Sequence, residues 1–471
     1  MFSTRTILVY AAVLLASGCA LLQPDYKRPA TELPQAWRDT PADAVTLDAG
    51  PWWKVYNDAT LDQLIDEALA DNASVAAAAA RVEQARAALH STSAAQWPQV
   101  AATAGRNRTG VSSVGAVPFP PGFGTVYNDN QVALDASYEV DLWGRLRNAT
   151  TAARADLLAS DAARETVRIS LTADVARGYF ALRAIDDQLA STRRSLADRT
   201  ESLQLEKRRF DLGDISEFDY RQLQAEVDAD RAQIPQFEQQ RSEQANALAI
   251  LLGRSPQAIY DQALGAGADE EDAASPVVVP SGLPSGLLLR RPDLVQAEQT
   301  LIAANARVTV ARAAYFPQIT LTGYLGSEST SLSQLFSGPA GIFQAALGLT
   351  QPIFTGGRID AQVEAAKAQE QIALQQYRLA VQTAFAEVRN AIVAQSKARE
   401  RLAADRDRVA TLRVALQFAQ LRYTNGIASQ IDVLDSERNL LAAEQDRAAA
   451  LLAQRAAIAD LFKALGGTWS S

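Results

Sequence analysis

The sequence predicts a mixed fold that is all-α over most of its length and also contains a few β-strands of the membrane-barrel type. Three observations predict it: very long Ala-rich segments without proline, short segments in which polar and apolar residues alternate, and a duplication of the whole plan. Of the 471 residues, 48% are hydrophobic and 21% are charged, which excludes a largely disordered chain. The net charge of −9, without a Lys/Arg cluster, argues against a nucleic-acid partner.

The N-terminus has the pattern of a lipoprotein leader. A basic residue precedes an apolar run over residues 7–15, which is too short to span a bilayer and is typical of a signal-peptide core. Small residues then lead into Cys19, the only cysteine, in a pattern that resembles a lipobox, although Ala16 stands where leucine is usual. An ordinary leader that ends near a cysteine is the alternative. We predict a signal peptide over 1–18 and a covalent lipid on Cys19, and Ala20 after the cysteine implies sorting to the outer membrane.

The chain contains an internal duplication. The segment 210–219 returns as 423–432 at an offset of 213 residues, and the Gly-Arg pairs at 144–145 and 357–358 share that offset. Each copy has the same plan: a helix, two strands, a very long helix, a Gly-containing turn and a returning helix. The predicted divisions are a lipid-anchored segment over 19–60, a first repeat over 61–265, an equatorial linker over 266–291 and a second repeat over 292–471.

Each copy is predicted to contribute two strands. In the segment 132–139, apolar side chains at the even positions alternate with mostly polar ones at the odd positions, which is the period of a strand with one apolar and one polar face. A strand of a soluble sandwich is the alternative. A length of roughly ten residues nevertheless fits a tilted transmembrane strand, and Asp135 and Glu139 fit a watery lumen. The four predicted strands cover about 99–109, 129–140, 317–327 and 342–353.

Four strands are too few to close a barrel. An open sheet edge in lipid would leave backbone N–H and C=O groups without hydrogen bonds. If the strands cross a membrane, several copies of the chain must therefore complete one barrel. The residues predict an oligomer without giving the number of subunits.

Two segments predict helices of unusual length. Residues 145–210 contain no proline and a single glycine, and residues 358–423 contain neither. At 1.5 Å per residue, about 65 residues make a helix of about 100 Å, over three times the ~30 Å hydrocarbon core of a membrane. The returning helices, about 219–252 and 432–465, are roughly half as long. A filament or scaffold coiled coil is the alternative, but it does not explain the strand pairs.

Six short stretches carry a family resemblance. They are Pro24–Pro29, Trp52-Trp53, Tyr138–Arg145, Gly282–Asp293, Tyr315–Pro317 and Pro352–Arg358. In their order and spacing they resemble the TolC-like outer-membrane factor family, in particular its lipoprotein subgroup of the OprM/NodT type. The resemblance implies a homotrimer in which three sets of four strands close a twelve-stranded outer-membrane barrel and the helices form a tunnel across the periplasm.

The resemblance also implies a function and partners. Members of this family are passive channels of tripartite export or multidrug efflux systems. The implied partners are a periplasmic adaptor (membrane fusion) protein, an inner-membrane pump and outer-membrane lipid. A coiled-coil adaptor or scaffold lipoprotein that never inserts is the alternative, and the amphipathic strands disfavour it.

The resemblance places a gate at the second turn. Asp432 and Asp435 match the positions that form acidic rings at the family's periplasmic constriction. Residues three apart share a helix face, so six carboxylates of a trimer would converge, and like charges at close range favour protonation or cation binding. The expected gate is iris-like, acidic and sensitive to cations and pH. The alternative is an exposed helix face that happens to carry two acids.

Further residues of the two turns are assigned by the same resemblance. Tyr423 matches a latch tyrosine, Arg422 lies beside it, and Asp219 is a candidate latch partner. The latch arginine position is Ala428, so that part of the latch is missing or supplied elsewhere. The residues expected at the adaptor-docking turns, where glycine allows a positive φ and serine caps the returning helix, are Gly213, Ser216, Gly426 and Ser429.

The sequence contains no pattern of an enzyme or a metal site. His90 is the only histidine, and no metal-ligand cluster, Ser/His/Asp arrangement or phosphate loop is visible. The acidic run 269–272 is interpreted as a solvated linker, with a calcium loop as the less favoured alternative. We therefore predict no enzymatic activity, no metal and no cofactor other than the lipid on Cys19.

Overall fold

The computed structural model describes residues 26–30, 51–112, 114, 124–261, 286, 289 and 291–467. The predicted signal peptide, Cys19 and most of the predicted linker lie outside the described residues. Within these ranges, no helix combines the length and the apolar character that a membrane crossing requires.

The helices and strands follow one plan twice. The first copy contains α1 (Ala59–Asp71), α2 (Ala73–Ala94), β1 (Gln99–Gly110), β2 (Val126–Glu139), α3 (Arg145–Asp211), α4 (Glu217–Leu251) and the short α5 (Pro256–Asp261). The second contains α6 (Pro292–Ala313), β3 (Gln318–Ser329), β4 (Gly341–Thr350), α7 (Arg358–Thr424) and α8 (Gln430–Ala464). Helices α3 and α7 have 67 residues each, and α4 and α8 have 35 each. The prediction of a duplicated, mainly helical chain with four strands is confirmed.

Compactness divides the chain into two units, and each unit draws on both copies. Of the described residues, the strand unit takes those within Met1–Ala30, Arg81–Asp161 and Gln296–Arg378. The helical unit takes the described residues within Thr31–Ala80, Ala162–Val295 and Leu379–Ser471. Equivalent elements of the two copies are therefore built into the same unit.

The strand unit contains one antiparallel sheet in the order β1-β2-β3-β4. Its register places Leu134 opposite Leu325 and Leu325 opposite Phe343, and we call the face that carries these side chains the apolar face. Asp135 lies on the other, polar face, where it accepts a 2.7 Å hydrogen bond from the hydroxyl of Thr103. Strands β1 and β4 are the two edges of the described sheet.

Two strand boundaries differ from the predicted ones by three residues, and the others agree to within two. Strand β2 begins at Val126 rather than near 129, because residues 126–128 continue the ladder opposite residues 108–110. Strand β4 ends at Thr350 rather than near 353, because Pro352 has no N–H to donate to a ladder. The number and order of the strands are unaffected.

Gly326 is required by the close approach of β2 and β3. A Cβ atom at Gly326 would lie 2.2 Å from the carbonyl oxygen of Val132 and 2.7 Å from the Cα of Ala133. Because both are backbone atoms, we expect Gly326→Ala to disrupt the pairing of β2 with β3 and to reduce severely the yield of folded protein. Electrophoresis without heating measures that yield. The matched control is Gly105→Ala on β1, where a Cβ would meet nothing within 4 Å; equal yields from both variants would contradict the prediction.

The helical unit has an aromatic and aliphatic core. Trp52 stacks on Phe462 with ring centroids 5.1 Å apart, and Tyr56 packs against Phe180 at 4.7 Å. The Tyr56 hydroxyl donates a 2.6 Å hydrogen bond to the backbone carbonyl of Arg455. Burying each large apolar side chain stabilises the fold by about 1.5–3 kcal/mol. This core therefore fixes the segment before α1 against helices of both copies.

Candidate functional site

Two turns of the helical unit have the same backbone geometry. Helix α3 ends at Asp211 and α7 at Thr424, and each is followed by a glycine with positive φ, +83° at Gly213 and +71° at Gly426. In both turns the glycine N–H and the next N–H donate to carbonyls of the last helical turn at 2.8 to 2.9 Å. This is the Schellman arrangement that ends helices, so both glycines have a local structural role.

Serine residues begin both returning helices. Ser216 precedes α4; its hydroxyl accepts from the Asp219 N–H at 3.2 Å and donates to the Asp219 carboxylate at 2.7 Å. Ser429 precedes α8, and its N–H and hydroxyl both donate to the Asp432 carboxylate at 2.9 Å. Asp219 and Asp432 are thus equivalent partners of the caps at the two turns.

Asp432 and Asp435 are both exposed in the first turns of α8. The hydrogen bonds from Ser429, together with the charge of Arg422, hold the pKa of Asp432 below its usual value. The carboxylate of Asp435 lies 3.2 Å from the guanidinium of Arg438. The negative charge that an acidic ring needs is therefore present in each chain, and the cap of α8 opposes protonation of Asp432.

Tyr423 is held by two charged residues of the other long helix. Its hydroxyl accepts a 2.7 Å hydrogen bond from Arg209 and donates a 2.9 Å hydrogen bond to Glu206. The guanidinium of Arg209 also lies 5.7 Å from the centre of the tyrosine ring. Burial and the bond to Glu206 raise the pKa of Tyr423. These contacts join the end of α3 to the end of α7.

The residues around Tyr423 differ in part from those that the sequence suggested. The described hydrogen bonds of Asp219 go to the cap of α4 and not to Tyr423. A guanidinium does contact Tyr423, but it belongs to Arg209 of the first copy and not to position 428, which is Ala428. Sequence reasoning missed Glu206, although Glu206 and Arg209 are three residues apart and share a helix face. Their approach to Tyr423 depends on how the two copies pack, which no local pattern contains.

A buried ion cluster lies upstream of Arg209 on α3. Arg199 is only 2% exposed and is surrounded by carboxylates of the two returning helices. These are Asp230 at 2.8 Å, Glu226 at 3.4 Å and Glu437 at 3.4 Å. Arg438 lies 3.3 Å from Glu226 and 3.2 Å from Asp435, so ion pairs connect the exposed Asp435 to the buried Arg199.

Tyr423→Phe is expected to loosen the ends of the long helices. The substitution removes the hydroxyl that serves both Arg209 and Glu206, and it leaves the carboxylate of Glu206, 4% exposed, with one hydrogen-bond partner fewer. Such a loss costs about 1–3 kcal/mol. Hydrogen exchange over 200–215 and 418–430 should therefore accelerate. The control is Tyr220→Phe, because Tyr220 stacks on Phe210 at 5.4 Å without a hydroxyl bond among the described contacts. Equal exchange in the two variants would argue against a latch.

Comparisons with known proteins identify the same architecture. The family profile described as outer membrane efflux protein matches residues 64–254 and 283–467, one match in each copy. The chain is 34% identical over 476 residues to the toluene efflux pump outer membrane protein TtgC of Pseudomonas putida, covering 99% of this chain and 96% of that protein. It is 31% identical over 474 residues to a Salmonella typhimurium protein named "Probable outer membrane lipoprotein SilC", covering 100% of each. The crystal structure of the Campylobacter jejuni CmeC outer membrane channel superposes with a TM-score of 0.87 at 26% identity, covering 95% of this chain and 94% of that one.

Proposed function

Because the chain belongs to the outer membrane efflux protein family and is an outer-membrane channel component of an efflux system, we propose that it acts as a passive trimeric conduit with an acidic gate. Three copies would join their edge strands and so satisfy the open backbone groups of β1 and β4 in one twelve-stranded barrel. Energy would come from an inner-membrane pump. A periplasmic adaptor would dock on the two turns that contain Gly213, Ser216, Gly426 and Ser429.

The observation that carries the gate is the exposed pair Asp432 and Asp435 in the first turns of α8, which follows the turn after Tyr423. In a trimer these carboxylates would form two rings at the start of α8. Because the cap holds the pKa of Asp432 below its usual 3.8, this group stays ionised as the pH falls toward that value. In the rings of a trimer, the neighbouring carboxylates would oppose this effect, because like charges at close range favour protonation or cation binding.

The experiment that tests the channel and the gate together is conductance of the purified protein in a planar bilayer. We expect discrete openings that a trivalent cation blocks from the side of the turns. The block should weaken as the pH is lowered, because a protonated carboxyl no longer binds a cation. Silence of both the native protein and a variant without the two aspartates would contradict the channel. Openings without cation block would support the channel and contradict the acidic gate.

A lipid on Cys19 is the second part of the proposal. The lipobox-like leader supports it, and so does the similarity to a protein named as an outer membrane lipoprotein. Intact-mass measurement of the mature protein should show a lipid-sized increment that Cys19→Ala abolishes. A mature native chain without that increment would contradict the anchor.

A further inference from the structure

The charged residues of the sheet are sorted by face. All acidic residues of the four strands lie on the polar face. They are Asp129, Asp135, Glu139 and Glu328. The strands contain two basic residues, Arg106 and Arg108, and both lie on the apolar face. A watery lumen accounts for the acids on the polar face, but it does not account for two guanidinium groups on the face that carries the aliphatic and aromatic band.

The register fixes the position of these arginines along the sheet. Arg106 pairs with Asn130, and Asn130 pairs with Ser329. Arg108 in the next row pairs with Asn128. The apolar face therefore becomes polar at one row across three neighbouring strands. The arginines stand at this border and not within the apolar band.

The border lies at the end of the sheet where β1 connects to β2, opposite the end where the helices join these strands. The β1–β2 connection begins just after Gly110, whereas α2 and α3 join the opposite ends of β1 and β2. The side chains of Arg106 and Arg108 are exposed, and neither has a hydrogen bond or an ion pair within the part of the chain that the structure describes. If periplasmic helices lie at one end of the sheet, both arginines lie toward the outer leaflet.

A second copy of the chain does not supply an obvious counter-ion. In an oligomer closed through sheet edges, β1 of one copy pairs with β4 of the next. Strand β4 contains no charged residue. Its apolar face adds Phe343, Leu347 and Leu349, which extends the band without neutralising Arg106 or Arg108.

We propose that Arg106 and Arg108 bind the phosphate groups of anionic outer-leaflet lipids and thereby set the depth of the sheet in the membrane. This inference rests on the proposed function, which places the apolar face in lipid. An arginine on a lipid-facing strand is unfavourable at the bilayer midplane and close to neutral at the interface. Its planar guanidinium matches phosphate oxygens with two hydrogen bonds. The apolar band would contact acyl chains and the arginines would contact headgroups, so this face of the sheet fits a lipid with a phosphate-containing headgroup.

The spacing of the two arginines favours a headgroup with more than one phosphate. Residues two apart on one face of a strand are about 7 Å apart. Two cations at this distance, with no acid on the same face of the described strands, form a positive patch rather than a set of ion pairs. A zwitterionic headgroup would bring a cation of its own into this patch, which disfavours it.

The test measures binding of lipid A, a glycolipid with two phosphates, to the purified full chain in detergent by native mass spectrometry. The key variant, called the face-exchange variant, moves both arginines to the polar face of β1 without changing the amino-acid composition. Its substitutions are Arg106→Asn, Asn107→Arg, Arg108→Thr and Thr109→Arg. We expect lipid A to bind this variant roughly 30-fold more weakly than the native protein, because each arginine near the membrane surface contributes about fivefold (~1 kcal/mol). Arg106→Lys/Arg108→Lys keeps both charges on the apolar face and should retain most of the affinity.

Dephosphorylated lipid A and inorganic phosphate separate the sources of affinity. The native protein should bind dephosphorylated lipid A no better than the face-exchange variant does, and inorganic phosphate should not compete at equal concentration. Equal affinity of the native protein and the face-exchange variant for lipid A would overturn the proposal. If that variant does not fold, Arg106→Gln/Arg108→Gln takes its place. Conductance in a neutral-lipid bilayer is recorded for each variant, so that a failure of the channel is distinguished from a failure of lipid binding.

Discussion

Replacing Asp432 and Asp435 together with alanine should convert a channel that is mostly closed into one that conducts steadily. The double variant removes two exposed carboxylates from each chain. The carboxylate of Asp432 also accepts both hydrogen bonds from Ser429 at the start of α8. Loss of a helix cap costs about 1 kcal/mol, so the first turn of α8 is loosened while the cation ligands are removed. Single-channel recording should show a larger mean current and no block by a trivalent cation.

Two further variants separate charge from structure in this prediction. Asp432→Asn/Asp435→Asn removes the charges but keeps hydrogen-bond acceptors, so it should abolish cation block with a smaller gain in current. Asp228→Ala removes an exposed carboxylate of α4 that pairs with Arg231 at 2.8 Å, the same spacing along a helix as Asp435 and Arg438. This control should behave as the native protein does. Unchanged current and unchanged block in the alanine double variant would show that the gate lies elsewhere.

The parts of the fold that could be predicted are those that repeat along the chain. Proline-free Ala-rich segments gave α3 and α7 because a helix needs only local hydrogen bonds and small side chains. Alternation around Asp135 and Leu134 gave the two faces of the sheet, since successive side chains of a strand point to opposite sides. Errors were confined to ends, such as Thr350, where one proline decides.

The contacts of the candidate site were harder to predict because they join distant segments. Asp432 could be assigned to a turn and a cap from the local Ser-x-x-Asp pattern. The bond between Arg209 and Tyr423 spans 214 residues, and that between Arg199 and Glu437 spans 238. No periodicity records which faces of α3, α7 and α8 meet. The sequence does not distinguish a buried arginine such as Arg199 from the many arginines that lie on solvated helix faces.

Arg199→Met should strongly destabilise the helical unit. The substitution leaves Asp230, 3% exposed, without the guanidinium 2.8 Å from it. Removing one partner of a buried ion pair costs about 3–5 kcal/mol, because the remaining charge is buried without its counter-ion. The Ser195 hydroxyl still donates a 2.7 Å hydrogen bond to Asp230 but carries no charge. Hydrogen exchange over 195–235 should accelerate roughly 100-fold or more. The control is Arg193→Met, whose ion pair with Glu238 is exposed at both ends (56% and 49%) and should contribute no more than about 1 kcal/mol.

A compensating variant distinguishes loss of charge pairing from loss of packing at this position. Arg199→Met/Asp230→Leu removes both charges of the shortest pair and should recover much of the lost stability. If this double variant exchanged as fast as Arg199→Met, the shape of the arginine side chain rather than its charge would be what the helices require.

The same cluster predicts a different result for Glu437→Gln. Burial raises the pKa of Glu437, with Asp198 and Asp230 adding to the effect, although Arg199 opposes it. Burial thus outweighs the attraction of Arg199, and ionising this carboxyl costs more in the folded than in the unfolded chain. Its contribution to stability therefore falls as the pH rises above 4.5 through the raised pKa. At neutral pH, Glu437→Gln should be as stable as the native protein or more so, and its stability should decline less on raising the pH. A destabilisation as large as that of Arg199→Met would mean that the ion pair with Arg199 dominates over burial.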